Sequence, residues 1–183
     1  LCDMLDTIGP MTRSVRDAAI LFDVLTERAE GTSLSAEVDS NKFFDGKRIG
    51  IPEDLGIALH PHTDAIWKET LHRVKEAGAT LVPIRFPKGL ADYAAPCGMF
   101  LAVDGYRHYH GFADEEPNRL GESVRKRMLS GKTVTAVDYL ENIAARDRNK
   151  SIIARAFESI DALLTPTTAF PAPVLGEHSE HDS

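Results

Sequence analysis

The sequence is short of several things, and each shortage excludes a class of protein. It has only 2 cysteines among 183 residues, Cys2 and Cys97. They are far apart and fit no Cys-x-x-Cys pattern, which excludes a disulfide framework and makes a reducing, cytoplasmic setting the expectation. Basic residues number 21 against 28 acidic ones, for a net charge of -7. Nucleic-acid binding is therefore not expected, since it calls for a clustered basic face. The one basic run, Arg125-Lys126-Arg127, is closed by Met128 and reads as the solvated side of a helix. No apolar stretch approaches the roughly 20 residues that span a bilayer, so no membrane association is expected. No charged segment followed by an apolar stretch and cleavage site is visible. Repeats and low-complexity blocks are absent too.

What is present has the ordinary make-up of a globular domain, with 43% hydrophobic and 27% charged residues. Gly9-Pro10 closes an opening loop and Thr12 is placed to cap a helix. Val15, Ala18, Ala19, Phe22 and Leu25 give that helix one apolar stripe. From Glu30 to Asp45 the chain turns polar and aperiodic, as in a surface loop. Residues 47–84 then form the clearest unit. Lys47–Pro52 reads as a buried strand stopped by proline. A helix opening at Thr63 carries Ile66, Trp67, Leu71, Val74 and Ala77 on its apolar side and stops at Gly78. Thr80–Ile84 is a second strand. Strand, helix and strand at this spacing predict a βαβ unit, with parallel strands and a right-handed crossover. Glu69 and Arg73 are spaced one turn apart for an exposed ion pair.

Residues 90–160 are mainly helical, in three helices. The pattern predicts them at about Leu90–His110, about Leu120–Leu129, and from Thr135, where Thr135 and Asp138 resemble a capping box. Val137, Leu140, Ile143, Ala144, Ile153, Phe157 and Ile160 line one face of the third. Asp161–Pro166 reads as a strand, and the polar residues Gly176–Ser183 read as a tail. The fold class is α/β, a mixed or parallel sheet covered by helices.

Four ordered segments carry a family resemblance. They are Asp6-Thr7-Ile8-Gly9-Pro10-Met11 with Arg13-Ser14-Val15 and Asp17-Ala18-Ala19; Arg48-Ile49-Gly50-Ile51-Pro52 with Gly78-Ala79; Gly131 with Asp138-Tyr139 and Arg146; and Asp161–Thr168 closing on Pro171-Ala172-Pro173. Together they resemble the amidase signature family, in which the first segment follows the nucleophilic serine. That resemblance implies hydrolysis of a carboxylic amide C–N bond in a small-molecule substrate by a Ser–cis-Ser–Lys triad, without metal or cofactor. A serine hydroxyl needs an adjacent base, which a desolvated lysine can supply. The family's lysine and its Gly/Ser-rich run precede the first segment, and the sequence starts at Leu1. Residues 1–183 are thus expected to be the C-terminal part of a single amidase domain, an incomplete sheet, inactive in isolation, with no catalytic residue among them. Within it, 1–29 would be the loop and helix after the nucleophile motif and 161–183 a strand and polar tail.

The resemblance assigns Asp6, Thr7, Gly9 and Arg13 to support of the nucleophile loop. It assigns Thr165, Thr167 and Thr168, with Asp104 and Tyr106, to the substrate pocket. Ala102-Val103-Asp104-Gly105 departs from a glutamate that family members often carry; if Asp104 takes that place, the resemblance implies a pocket altered by its shorter arm. The resemblance also allows a homodimer. Competing roles are a glutamyl-tRNA amidotransferase A-type subunit, an allophanate- or carboxybiuret-type hydrolase, and a non-catalytic binding or scaffold protein on the same core. Other residues have plainer readings. His108-Tyr109-His110 diverges on a helix and lacks a third ligand. His60-Pro61-His62 reads as loop, and the histidines and glutamates after Gly176 as solvated tail. Cys97, Trp67 and Phe157 read as packing residues, and Arg85 has no readable role.

Overall fold

A computed structural model describes residues 2–26, 34, 38, 43–115 and 120–174. Most of the expected 30–45 loop, and the tail from Gly176, lie outside the described residues. In chain order the elements are α1 (Val15–Leu25), β1 (Arg48–Pro52), α2 (Pro61–Glu76), β2 (Thr80–Ile84), a 3-10 turn (Leu90–Ala94), α3 (Ala95–Ala113), α4 (Glu122–Ser130), a second 3-10 turn (Gly131–Thr133), α5 (Ala136–Ala156) and β3 (Ala162–Leu163).

The three described strands form a parallel sheet in the order β2-β1-β3. Arg48 pairs with Thr80 and Pro52 with Ile84 on one side of β1, and Ile49 pairs with Ala162 on the other. The expected β1-α2-β2 unit is therefore present with parallel strands. Gly50 is where the sheet is tightest. A methyl there would strike Ile160 Cδ1 and come within 3.0 Å of Ile84 Cγ1. Ile160, expected on the long helix, lies beyond its end and is buried against this glycine. The expected strand 161–166 shortens to two residues. Asp161 N–H donates to Arg48 O at 2.8 Å and Leu164 N–H to Gly50 O at 2.9 Å, after which Pro166 has no N–H to give.

Local chemistry explains the other differences in boundary. Ser14, not Thr12, caps α1: its extended backbone turns Oγ to accept from Asp17 N–H at 3.1 Å, while Thr12 Oγ1 donates to Ser14 O. α2 starts at Pro61 rather than Thr63. His60 is its N-cap and Pro61 takes the first turn, where a missing N–H costs nothing. Gly78, with φ 99°, ends it as expected. The helix expected at 90–110 divides into a 3-10 turn and α3, with Pro96 in the first turn of α3. The Thr135/Asp138 capping box is present, with Asp138 N–H donating to Thr135 Oγ1 at 3.1 Å and Thr135 N–H to Asp138 Oδ2 at 3.3 Å.

Phe100 of α3 is the largest fully buried side chain, edge-on to Tyr139 of α5 at 5.7 Å. Around it α3 and α4 pack closely through Gly131. α5 is clasped to α3 by Asn142 Nδ2 donating to Pro96 O at 2.9 Å. The expected stripe on α5 is only partly covered, since Val137 and Leu140 are 65% and 64% exposed. Phe157 follows the helix and is 46% exposed, so it is not a core residue here. The stripe of α1 is likewise open, with Val15 70% exposed and only Ala19 buried.

Candidate substrate-binding site

From β1 the chain crosses through α2 to β2 on one side of the sheet, and β3 lies on the other side of β1. The exits from β1 and β3 therefore lie side by side at the carboxyl ends of these parallel strands. In open parallel sheets ligands bind in crevices at the carboxyl ends of the strands. Leu55–His60 leaves β1 here, and Leu164–Pro171 leaves β3. His60 N–H donates to Ala169 O at 2.9 Å, which ties the two together. The first is also braced from behind. Leu90 N–H donates to Asp54 O at 3.1 Å and Ala91 N–H to Leu55 O at 2.9 Å, and the Gly56 and Gly89 backbones meet so closely that neither could carry a side chain.

Two hollows flank the strand-end segment. The larger, about 520 Å³, lies between Leu164–Pro171 and the first turns of α2, where Ile66, Trp67, Thr63 and Thr70 face it. The smaller, about 220 Å³, lies on the other side, against Leu55, Ile57 and Leu59. Thr165, Thr167 and Thr168 line both. Thr168 Oγ1 donates to Phe170 O at 2.9 Å. Among the described residues the hydroxyls of Thr165 and Thr167 have no protein partner, which leaves them open to a ligand.

The other residues expected at the site are placed elsewhere. Asp104 is buried in α3 at 5% exposure, rather than at the mouth of this cleft. Arg107 Nε lies 3.4 Å from its carboxylate. Tyr106, on the same helix, reaches Asp114 at 3.4 Å. Burial pushes the Cys2 thiol above its ordinary range, reinforced by the hydrogen bond to Asp104. Burial also raises the Tyr139 phenol, helped by the Asp104 charge. Asp3 is held below the usual carboxylate range by its hydrogen bond to Arg107 at 2.6 Å. These contacts pin the chain's opening turn onto α3. Asp6 closes that turn, accepting from Cys2 N–H at 2.9 Å, while Thr7, Gly9 and Arg13 lie on the surface beyond it. Thus the threonines form one group, and Asp6 and Asp104 meet a second through Cys2.

The α2 lining is not among the site residues expected from sequence, where Trp67 reads as core. The βαβ pattern nonetheless puts the start of α2 at the carboxyl ends of the strands. Among the described residues no three His, Cys, Asp or Glu side chains gather as a metal site, and no described helix is long and apolar enough to cross a membrane.

The family model for amidases matches residues 1–183. The chain belongs to the amidase family. It is 32% identical to the A-type subunit of glutamyl-tRNA(Gln) amidotransferase from Rhodospirillum rubrum, over 94% of this chain and 41% of that protein. The counterpart of the same name from Roseobacter denitrificans is 28% identical, over 97% and 43%. The chain thus spans less than half the length of these relatives. Among solved structures, a crystal structure of an amidase superposes with a TM-score of 0.70 at 25% identity, over 92% of this chain and 36% of that one. A 6-aminohexanoate cyclic dimer hydrolase complexed with substrate gives 0.69 at 18% identity, over 92% and 39%, and shares the amidase fold.

Proposed function

We propose that the intact protein hydrolyses carboxylic amides, and that residues 1–183 are the C-terminal part of its single amidase domain. The observation that carries this reading is the cleft at the carboxyl ends of the strands of an amidase-family sheet, with two uncommitted threonine hydroxyls at its wall. The triad of lysine and two serines belongs to residues outside these 183. In the reaction the nucleophilic serine Oγ attacks the amide carbonyl carbon, and its proton passes through the second serine to the lysine. The C–N bond breaks and the nitrogen leaves with that proton as ammonia or an amine. Water then cleaves the acyl ester, returning the serine. The present residues bind and orient: the cleft holds the substrate, and Asp6, Thr7, Gly9 and Arg13 support the nucleophile loop. A cytoplasmic, homodimeric enzyme without cofactor is part of the same reading; both cysteines are free thiols.

The test is release of ammonia from primary amides by the intact protein. Asp6→Ala and Arg13→Ala are each expected to lower kcat with little change in KM, because they act on the nucleophile rather than on binding. Full activity in both variants would remove the supporting role. A second reading, part of an amidotransferase that works on glutamyl-tRNA(Gln), is favoured by the names of the relatives. The net charge of -7 weighs against a direct nucleic-acid contact by this part of the chain. Amidation of glutamyl-tRNA(Gln) by the protein with its partner subunits would establish it.

A further inference from the structure

Among the described residues, the larger cleft is lined without a single Asp, Glu, Lys or Arg side chain. Ile66 and Trp67 form one wall, Leu164, Phe170 and Pro171 the other, and the polar groups are hydroxyls and the ring of His62. Several ionic side chains on the flanking elements have partners of their own. On α2, Asp64 pairs with Lys68 at 2.6 Å and Glu69 with Arg73 at 2.8 Å. After β1, Glu53 pairs with Arg85 at 3.2 Å, and Asp54 accepts Gly56 N–H at 2.8 Å. A ligand carboxylate or ammonium entering this cleft would lose water without gaining a partner of opposite charge, which is strongly unfavourable. An aromatic ring would gain apolar contact on both sides, and the size falls within the usual range for small-molecule sites.

We infer that this cleft selects neutral aromatic carboxamides over amides that carry a charge, glutamine included. The inference rests on the amide-hydrolysis reading for its catalytic consequence, but not for binding. The ring lies between Trp67 and Phe170, and the polar end meets the hydroxyls of Thr165 and Thr167. The selectivity comes from the uncharged lining.

The intact protein is assayed with phenylacetamide, acetamide, succinamate and glutamine, and phenylacetamide binding is followed separately by calorimetry. The expected result is a kcat/KM for phenylacetamide at least about tenfold above succinamate and glutamine. Trp67→Ala and Phe170→Ala lower the ratio of phenylacetamide to acetamide kcat/KM by about tenfold, mainly through KM. Phe170 is 58% exposed, so its truncation leaves the fold intact. Ile66→Arg shifts preference toward succinamate. Equal or better turnover of the charged amides, or equal losses for both neutral amides in the variants, overturns the inference and leaves hydrolysis standing. If no amide is hydrolysed but phenylacetamide binds and Phe170→Ala abolishes binding, the inference stands and the hydrolysis reading falls. Absence of both turnover and binding overturns both.

Discussion

Replacing Gly131 with alanine sets two physical effects against each other, and the structure decides the sign. Gly131 has φ -65° and ψ -23°, an ordinary helical conformation. Backbone preference alone therefore favours alanine, by about 0.5–1 kcal/mol. The obstacle is steric. A methyl group there would strike the carbonyl oxygen of Ala102, with the carbonyl carbon at 2.5 Å and Val103 N at 2.8 Å. These atoms belong to the backbone of α3 and cannot rotate aside, so α4 must withdraw from α3. Overpacking of this kind costs about 1–3 kcal/mol, and more where the backbone has to move. The expected net effect is a loss of about 1 kcal/mol or more, read as a lower urea midpoint at unchanged slope in the intact protein. Gly98→Ala is the matched control. It sits in the first turns of α3 with nothing near its added methyl, and is expected to gain about 0.5–1 kcal/mol. A Gly131→Ala protein as stable as the parent, or more so, would refute the close approach of α4 to α3.

Three further outcomes follow from the same geometry. The Cys2 thiol and Tyr139 phenol are both raised in the folded state, which favours their protonated forms. Their contribution is fully present below the ordinary thiol and phenol ranges and is lost as pH rises through the folded values. Melting temperature should fall as pH rises through and above the ordinary thiol and phenol values of about 8.5 and about 10, and Tyr139→Phe should flatten that fall; an identical slope would count against the buried phenol. Asp138→Ala removes the carboxylate that accepts from Thr135 N–H at 3.3 Å, and should cost about 1 kcal/mol in urea unfolding. A neutral result would mean that the capping box does not stabilise α5. Expressed alone, the 183 residues should self-associate, because Val15 and Val24 are 70% and 69% exposed and β2 and β3 end the described sheet. A monodisperse, cooperatively unfolding sample would show that this surface needs no cover.

What was legible in the sequence was local. The Thr135/Asp138 box, the Gly78 stop and the βαβ unit depend on neighbouring residues, and each is found where its chemistry puts it. Starts and stops slipped where two caps competed, as with Thr12 and Ser14, or where proline served as the first residue of a helix, as at Pro61. Long-range pairing was not legible. Nothing in Ala162-Leu163 announces that it lies beside β1 rather than β2, yet that choice brings the segment after β3 to the first turns of α2, so that Trp67 and Phe170 line one cleft. The same holds for Asp104, whose neighbours Cys2 and Tyr139 come from opposite ends of the chain. Of the five residues that family resemblance assigned to a pocket, the three threonines line the cleft and Asp104 and Tyr106 do not.

The most direct test of the central claim is the intact mass of the protein after acid quenching during turnover of phenylacetamide. Amide hydrolysis through an acyl-enzyme predicts a single phenylacetyl adduct, mapped to a serine preceding the Asp6–Arg13 segment, together with release of ammonia. Release of ammonia without any adduct in single-turnover experiments, or an adduct mapped within residues 1–183, would contradict the division of labour described here.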